Sequence, residues 1–288
     1  MTSETAPGQA RAFARAIKLS HSIFALPFAL AAAALAAVEH GLEAWQLFWI
    51  LVAMVAARSA AMGFNRIVDR DIDARNPRTA SREIPAGELS LRSAWGWTLA
   101  SAGLFLAASW ALGPLPLLLA PVALAVVWGY SLVKRVSWTC HLVLGLALAL
   151  APVGAWVAIA GSFASLPVLL GLIVGTWVAG FDIIYSCQDA GFDADEGLHS
   201  IPARFGLTGA LWISALLHVL TVVGLAVLPL VAGLGWVYWL GFALMAGTLA
   251  YEHAIVRPDD LSRVDKAFFD LNGYVSLAFF GTVLVALI

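Results

Sequence analysis

From residue 20 onward the chain is a succession of apolar runs, each about 20 residues long and separated by short polar links. A run of that length crosses the hydrocarbon core of a bilayer as a helix. Lipid offers the backbone no hydrogen-bond partners, and a helix satisfies its own. Nine such runs can be marked, at 20–39, 44–64, 92–112, 114–133, 138–160, 165–187, 208–230, 234–254 and 267–287. Gly113-Pro114, Gly161 to Pro167 and Gly233 to Gly235 punctuate them. The expected fold is all-α, an integral membrane bundle of nine transmembrane helices.

The charges test that count. Only 12% of residues are charged and 61% are hydrophobic, against about 25% charged in soluble domains. With the N-terminus in the cytoplasm, all 16 Lys and Arg fall in the N-terminal tail, in the loops after spans 2, 4, 6 and 8, or at adjacent helix ends. The outer loops hold only Glu39 and Glu43. This is the positive-inside pattern, and eight or ten spans sort the charges less cleanly. Arg11, Arg15 and Lys18 before an apolar stretch resemble a signal peptide, but Leu19 to Val38 is long enough to span and is expected to be the first transmembrane helix. Trp45, Trp49, Trp95, Trp97, Trp138, Trp236 and Trp239 lie near span ends as an interfacial belt. A net charge of -2 without a basic tract outside the loops gives no nucleic-acid signal. Cys140 and Cys187 make no C-x-x-C pair, and neither a Gly-rich phosphate loop nor H-E-x-x-H occurs.

Chemistry concentrates in two polar stretches on one side of the membrane. The first, Arg58 to Arg82, leaves span 2 through Asn65, Asp69 and Asp73. Spaced four apart, these share a helix face. Stacked oxygen donors suit Mg2+, which shares its ligands with substrate phosphates. Arg58, Arg66, Arg70, Arg75, Arg78 and Arg82 surround them, and cations that near carboxylates imply a further anion, phosphate being the usual one. The second stretch follows span 6 and holds Asp182, Asp189, Asp193, Asp195 and Glu196, with the four-residue spacing repeated at Asp189 and Asp193. Two such faces opposed across a helical bundle would hold Mg2+ ions with a diphosphate between them, in a polar cavity opening toward the cytoplasmic side. Asp182 lies seven residues deeper, and a carboxylate within a span marks function by default. Arg58 stands in the same relation to Asn65, where it reaches a diphosphate or a substrate carboxylate, or snorkels to the surface. Tyr130 and Lys134 share a face at the end of span 4, with Arg135 beside them. They are read either as diphosphate and carbocation contacts or as an interfacial anchor. His199 is a candidate phosphate contact. His21, His40, His141, His218 and His253 show no metal-ligand spacing and are expected to be structural.

The pattern N-x-x-x-D-x-x-x-D after span 2, Y-x-x-x-K after span 4 and D-x-x-x-D after span 6, on nine spans, resembles the UbiA superfamily of intramembrane aromatic prenyltransferases. The resemblance covers nearly the whole chain. NRIVDRDIDARNPRTASREIPAG is similar to the 4-hydroxybenzoate polyprenyltransferase branch. FDIIYSCQDAGFDADEGLHSIPARFG is similar to futalosine-type menaquinone-pathway members. Leu198-His199-Ser200 departs from the basic residue and Thr that many relatives carry. The resemblance implies one transmembrane prenyltransferase domain over 1–288, with spans 1–4 and 5–8 as candidate related halves plus a ninth, in the cell inner membrane. It implies that Asn65, Asp69, Asp73, Asp189 and Asp193 bind Mg2+ and the diphosphate of a prenyl donor. Arg66, Arg70, Lys134 and Arg135 would help hold the phosphates, and Asp182 would orient or deprotonate an aromatic acceptor. The partners expected are prenyl diphosphate, a hydroxybenzoate or hydroxynaphthoate and membrane lipid, without nucleic acid or a protein partner. Two rivals stand beside this reading. One is a haem or chlorophyll-type prenyl transferase with the same motif chemistry. The other is an ion-coupled secondary transporter, disfavoured because most acids lie at the membrane edge rather than the midplane.

Overall fold

The computed structural model describes residues 6–18 and 25–288. The expected start of the first span at residue 20 and His21 lie outside them. Among the described residues the chain is helical throughout, without a strand; the one ladder-like contact is an isolated bridge between Arg257 and Asp260. Six helices are long and apolar enough to cross a membrane, and Leu26–His40 is a shorter apolar helix. Large apolar side chains lie exposed along one of the six, among them Trp212, Leu216, Val219, Val223 and Leu230. Such a stripe suits acyl chains rather than water. The protein is a multi-pass membrane protein.

The chain forms two compact units. The first is built from α1 (Ala6–Ala16), α3 (Ala44–Arg75) from Phe48 on, α4 (Leu91–Leu112) and α5 (Pro114–Val133). α1 falls in the stretch read from sequence as a charged tail. Ala12, Phe13, Ala16 and Ile17 repeat on one face and are buried with Ile67, Leu89 and Ala94. Arg11 and Arg15 stay exposed on the other, which is the amphipathic pattern of a surface helix. Gln9 and Arg15 stitch α1 to the loop before α4. The Gln9 amide donates to the Glu88 carbonyl at 3.2 Å, and Arg15 Nη2 meets Glu88 Oε2 at 2.6 Å. α3 outruns its apolar segment. The Asn65, Asp69, Asp73 motif, read as sharing a helix face beyond the span that ends at residue 64, lies on this same helix, which continues to Arg75. Polar residues do not stop a helix. It ends next to Asn76-Pro77, because the residue before a proline is driven out of the α region. The break at Gly113-Pro114 falls where expected, with Gly113 at φ +128°.

The second unit holds α2 (Leu26–His40), α6 (Cys140–Ala160), α7 (Ser165–Ser186), α8 (Ala190–Asp195), α9 (Ile201–Ala232), α10 (Tyr238–Ile255), α11 (Val264–Lys266) and α12 (Asn272–Leu287). Its core is aromatic. Phe28 stacks on Phe279 at 4.5 Å and meets Trp177 at 4.9 Å between centroids. The Trp177 indole donates to Asn272 Oδ1 at 2.7 Å, and Asn272 Nδ2 donates to the buried Glu252 at 3.0 Å. Polar groups in an apolar interior require such partners. α6 and α7 cross with their backbones nearly touching, since a Cβ at Gly145 would strike the Gly175 carbonyl oxygen. Small residues permit this close packing of helices in lipid. α9 is bent near its start, where Gly206 takes φ +70°, ψ +170°, a conformation open essentially to glycine alone.

Candidate active site

In the first unit the three motif residues follow one another down α3. Asn65 Nδ2 donates to Asp69 Oδ2 at 3.0 Å and lies 3.4 Å from the Ser131 hydroxyl on α5. Asp69 is 2% exposed and Asp73 is 4% exposed. Buried carboxylates need compensation, and Asp73 has it. Arg82 Nη1 reaches both its oxygens, at 2.7 and 2.8 Å. Thr79 closes the turn by donating to the Asp73 carbonyl at 3.0 Å.

Cations collect around these acids. Arg66 is buried and donates from Nε to the Ala16 carbonyl at 3.1 Å. It lies within electrostatic reach of Arg82, Asp73 and Tyr130. Lys18, counted from sequence only as tail charge, belongs to the same group. Desolvation first, and then the guanidinium groups of Arg66, Arg82 and Arg78, hold its ammonium below the ordinary lysine value, with Glu83 opposing them. So many positive groups beside two carboxylates leave a surplus that an anionic ligand would relieve. Arg58 donates to the Lys18 carbonyl at 3.2 Å, while its buried Nε has no hydrogen-bond partner among the described residues. Arg70 lies farther out, half-exposed, and pairs with Asp71 at 3.2 Å.

In the second unit α7 ends at Ser186. A 3₁₀ turn, Cys187–Asp189, separates it from α8, so the helical register running through Asp182 and Tyr185 stops before Asp189. Asp189 and Asp193 are half-buried. Asp193 lies within electrostatic reach of Asp189, Lys134 and His141. Lys134 follows the end of α5, and its carbonyl accepts from the His199 amide at 2.7 Å, which ties that turn to the second acidic loop. His199 itself is exposed. Tyr185 packs on Phe268 at 4.1 Å between ring centroids.

Asp182 has a partner that the sequence reading set aside as structural. Its Oδ2 lies 2.7 Å from His141 Nδ1, and His141 Nε2 accepts from the Ile201 amide at 3.3 Å. A signal for this pair does exist: residue 141 opens one span and residue 182 closes the next, so an antiparallel pairing puts them at the same end.

Among the described residues no three His, Cys, Asp or Glu side chains converge to cage a metal ion. The donor set in each unit is carboxylate pairs, with an amide oxygen at Asn65. That chemistry fits Mg2+, which is usually held by one or two carboxylates and completes its octahedron with waters and substrate phosphates.

A sequence model of the UbiA prenyltransferase family matches residues 25–280. The 4-hydroxybenzoate octaprenyltransferase of Cupriavidus necator is 32% identical over 246 residues, 84% of this chain and 85% of that one. The enzyme of the same name from Pectobacterium carotovorum is 28% identical over 243 residues, 84% of each chain. Among solved structures, the apo form of a UbiA homolog from Aeropyrum pernix K1 superposes with a TM-score of 0.86 at 34% identity, covering 94% of this chain and 99% of that one. A UbiA homolog from Archaeoglobus fulgidus bound to GPP and Mg2+ superposes with a TM-score of 0.76, covering 96% and 99%; at 21% identity it speaks for the fold alone.

Proposed function

The chain belongs to the UbiA prenyltransferase family, and from that premise we propose that it transfers a polyprenyl group from a prenyl diphosphate to a ring carbon of a hydroxylated benzoate or naphthoate. The observation that carries this reading is the pair of buried carboxylates on α3, Asp69 and Asp73, set among Lys18, Arg66 and Arg82. Asn65, Asp69 and Asp73 in the first unit, and Asp189 and Asp193 in the second, are the oxygen donors that would hold Mg2+. When bound, the metal neutralises charge developing on the diphosphate leaving group.

The chain's own residues account for the rest. Lys18, Arg66, Arg70, Lys134 and Arg135 are the cations for the phosphate oxygens, assisted by the Tyr130 hydroxyl. Arg58 has an unspent buried N–H for an anionic group of either substrate. Asp182 takes or orients the proton of the acceptor hydroxyl, which makes the ring a stronger nucleophile. Apolar helix walls keep water from the allylic cation left by diphosphate departure. Nine transmembrane helices in the cytoplasmic membrane, with the N-terminus and both acidic stretches on the cytoplasmic side, complete the proposal. Its support is the distribution of Lys and Arg.

The test uses purified protein in detergent with Mg2+, a labelled prenyl diphosphate, and 4-hydroxybenzoate, a dihydroxynaphthoate or no acceptor. A prenylated product with one acceptor, lost with EDTA, is expected. Folded protein that neither forms product nor releases diphosphate with any acceptor would overturn the proposal.

A further inference from the structure

His141 is 4% exposed and sits in the first turn of α6. Two of its contacts carry the argument. One is Asp182 Oδ2, 2.7 Å from its Nδ1; the other is the Ile201 amide, 3.3 Å from its Nε2. The second contact decides the protons. Ile201 is the first residue of α9, and the first amides of a helix have no acceptor within it. A backbone N–H can only donate, so Nε2 presents its lone pair and carries no hydrogen. The imidazole hydrogen is then on Nδ1, and it is given to the Asp182 carboxylate.

We infer that His141 is a positioning residue for Asp182, holding one carboxylate oxygen against a ring anchored at the start of α9 and so fixing the direction of the other toward the aromatic acceptor. The inference rests on the reading that Asp182 acts on the acceptor. Burial orders the pair: the Asp182 side chain is 23% exposed and that of His141 5%, so the acid is the reachable group and the imidazole stands behind it. The ring cannot turn without losing both contacts at once.

Asparagine and glutamine separate this role from a purely structural one, because each keeps one ring nitrogen's contact. An Asn amide at the Nδ1 position still donates to Asp182, whereas a Gln oxygen at the Nε2 position still accepts from Ile201. His141→Gln is expected to melt close to the unsubstituted protein while its kcat with acceptor falls about thirtyfold, the worth of a charge-assisted hydrogen bond. Its KM for prenyl diphosphate should stay unchanged. His141→Asn is expected to melt lower yet keep kcat within about threefold. In the Asp182→Asn background, His141→Gln should cost nothing further. If both His141 variants keep full kcat, lose it in step with thermal stability, or fail to fold, the imidazole serves the fold alone and the inference is overturned. If Asp182→Asn is itself fully active, the underlying reading of Asp182 fails, whatever the His141 variants do.

Discussion

On α3 Asp69 and Asp73 ride an unbroken helix, nearly sealed from solvent, and Asp73 is already clasped by Arg82. In the second unit α7 stops at Ser186, and Asp189 and Asp193 sit half-buried on a 3₁₀ turn and a short helix. The same D-x-x-x-D spacing is thus built in two ways. A buried carboxylate must be neutralised in the resting fold, so the first stretch is ordered by its own counter-charges. A carboxylate at a helix break keeps part of its hydration and can turn to meet an incoming ligand. The difference separates a rigid pair of carboxylates from an adaptable one.

The harshest test of this contrast removes one acid from each. Asp69→Ala and Asp189→Ala should each cut prenyl transfer about a thousandfold or more if, as proposed, each would help hold the Mg2+ that neutralises the leaving group. Single-turnover assays across Mg2+ concentrations would check it. Rescue of Asp189→Ala by excess Mg2+, but not of Asp69→Ala, would sharpen the contrast, whereas full activity in either variant would remove that acid from the site.

Stability should divide the units next. Arg82→Ala leaves Asp73 buried without its cation and should destabilise the protein by about 2–3 kcal/mol, below the cost of breaking a fully buried pair because Arg82 is 22% exposed. Lys134→Ala, beside the half-buried acids, should change thermal stability in detergent much less. Equal melting temperatures for the two variants would break the comparison.

Gly206→Ala probes the bend at the start of α9. It forces a Cβ into a glycine-only conformation and should cost about 1–3 kcal/mol, read as a lower melting temperature. Prenyl transfer should fall with it, because the bend lies five residues beyond Ile201.

The smallest effect concerns pH. Lys18 gives up its proton earlier on the alkaline side than an ordinary lysine. If Lys18 holds the diphosphate as proposed, binding needs its charged form, so KM for the prenyl donor should rise with pH through that lowered pKa, by less than about tenfold. Lys18→Arg, which stays charged, should flatten this alkaline limb. A limb that persists in the variant would take Lys18 out of the phosphate site.

Much of this was legible from residue order. Apolar runs located the long helices, and four-residue spacing picked out Asn65, Asp69 and Asp73. What escaped had physical reasons. α1 was hidden because its apolar face is only four residues, Ala12, Phe13, Ala16 and Ile17, between basic ones. The length of α3 was missed because membrane reasoning stops where the apolar run gives way to the polar stretch from Asn65, whereas the helix stops at Asn76-Pro77. Asp73–Arg82 and His141–Asp182 are tertiary pairs, nine and 41 residues apart. Spacing along a chain carries no information about partners at that distance unless the packing of helices is known.

The bond from the Ile201 amide to His141 also has a consequence for assembly. Membrane helices enter the bilayer in order and pair afterwards. α6 and α7 can cross at Gly145 and Gly175 as soon as both are inserted, and Asp182 then already accepts from His141 Nδ1, but the far side of the ring has no anchor until α9 brings its unmatched amide to Nε2. A chain that ends before Ile201 would keep the acid–histidine pair but lack the bond that anchors the far side of the ring.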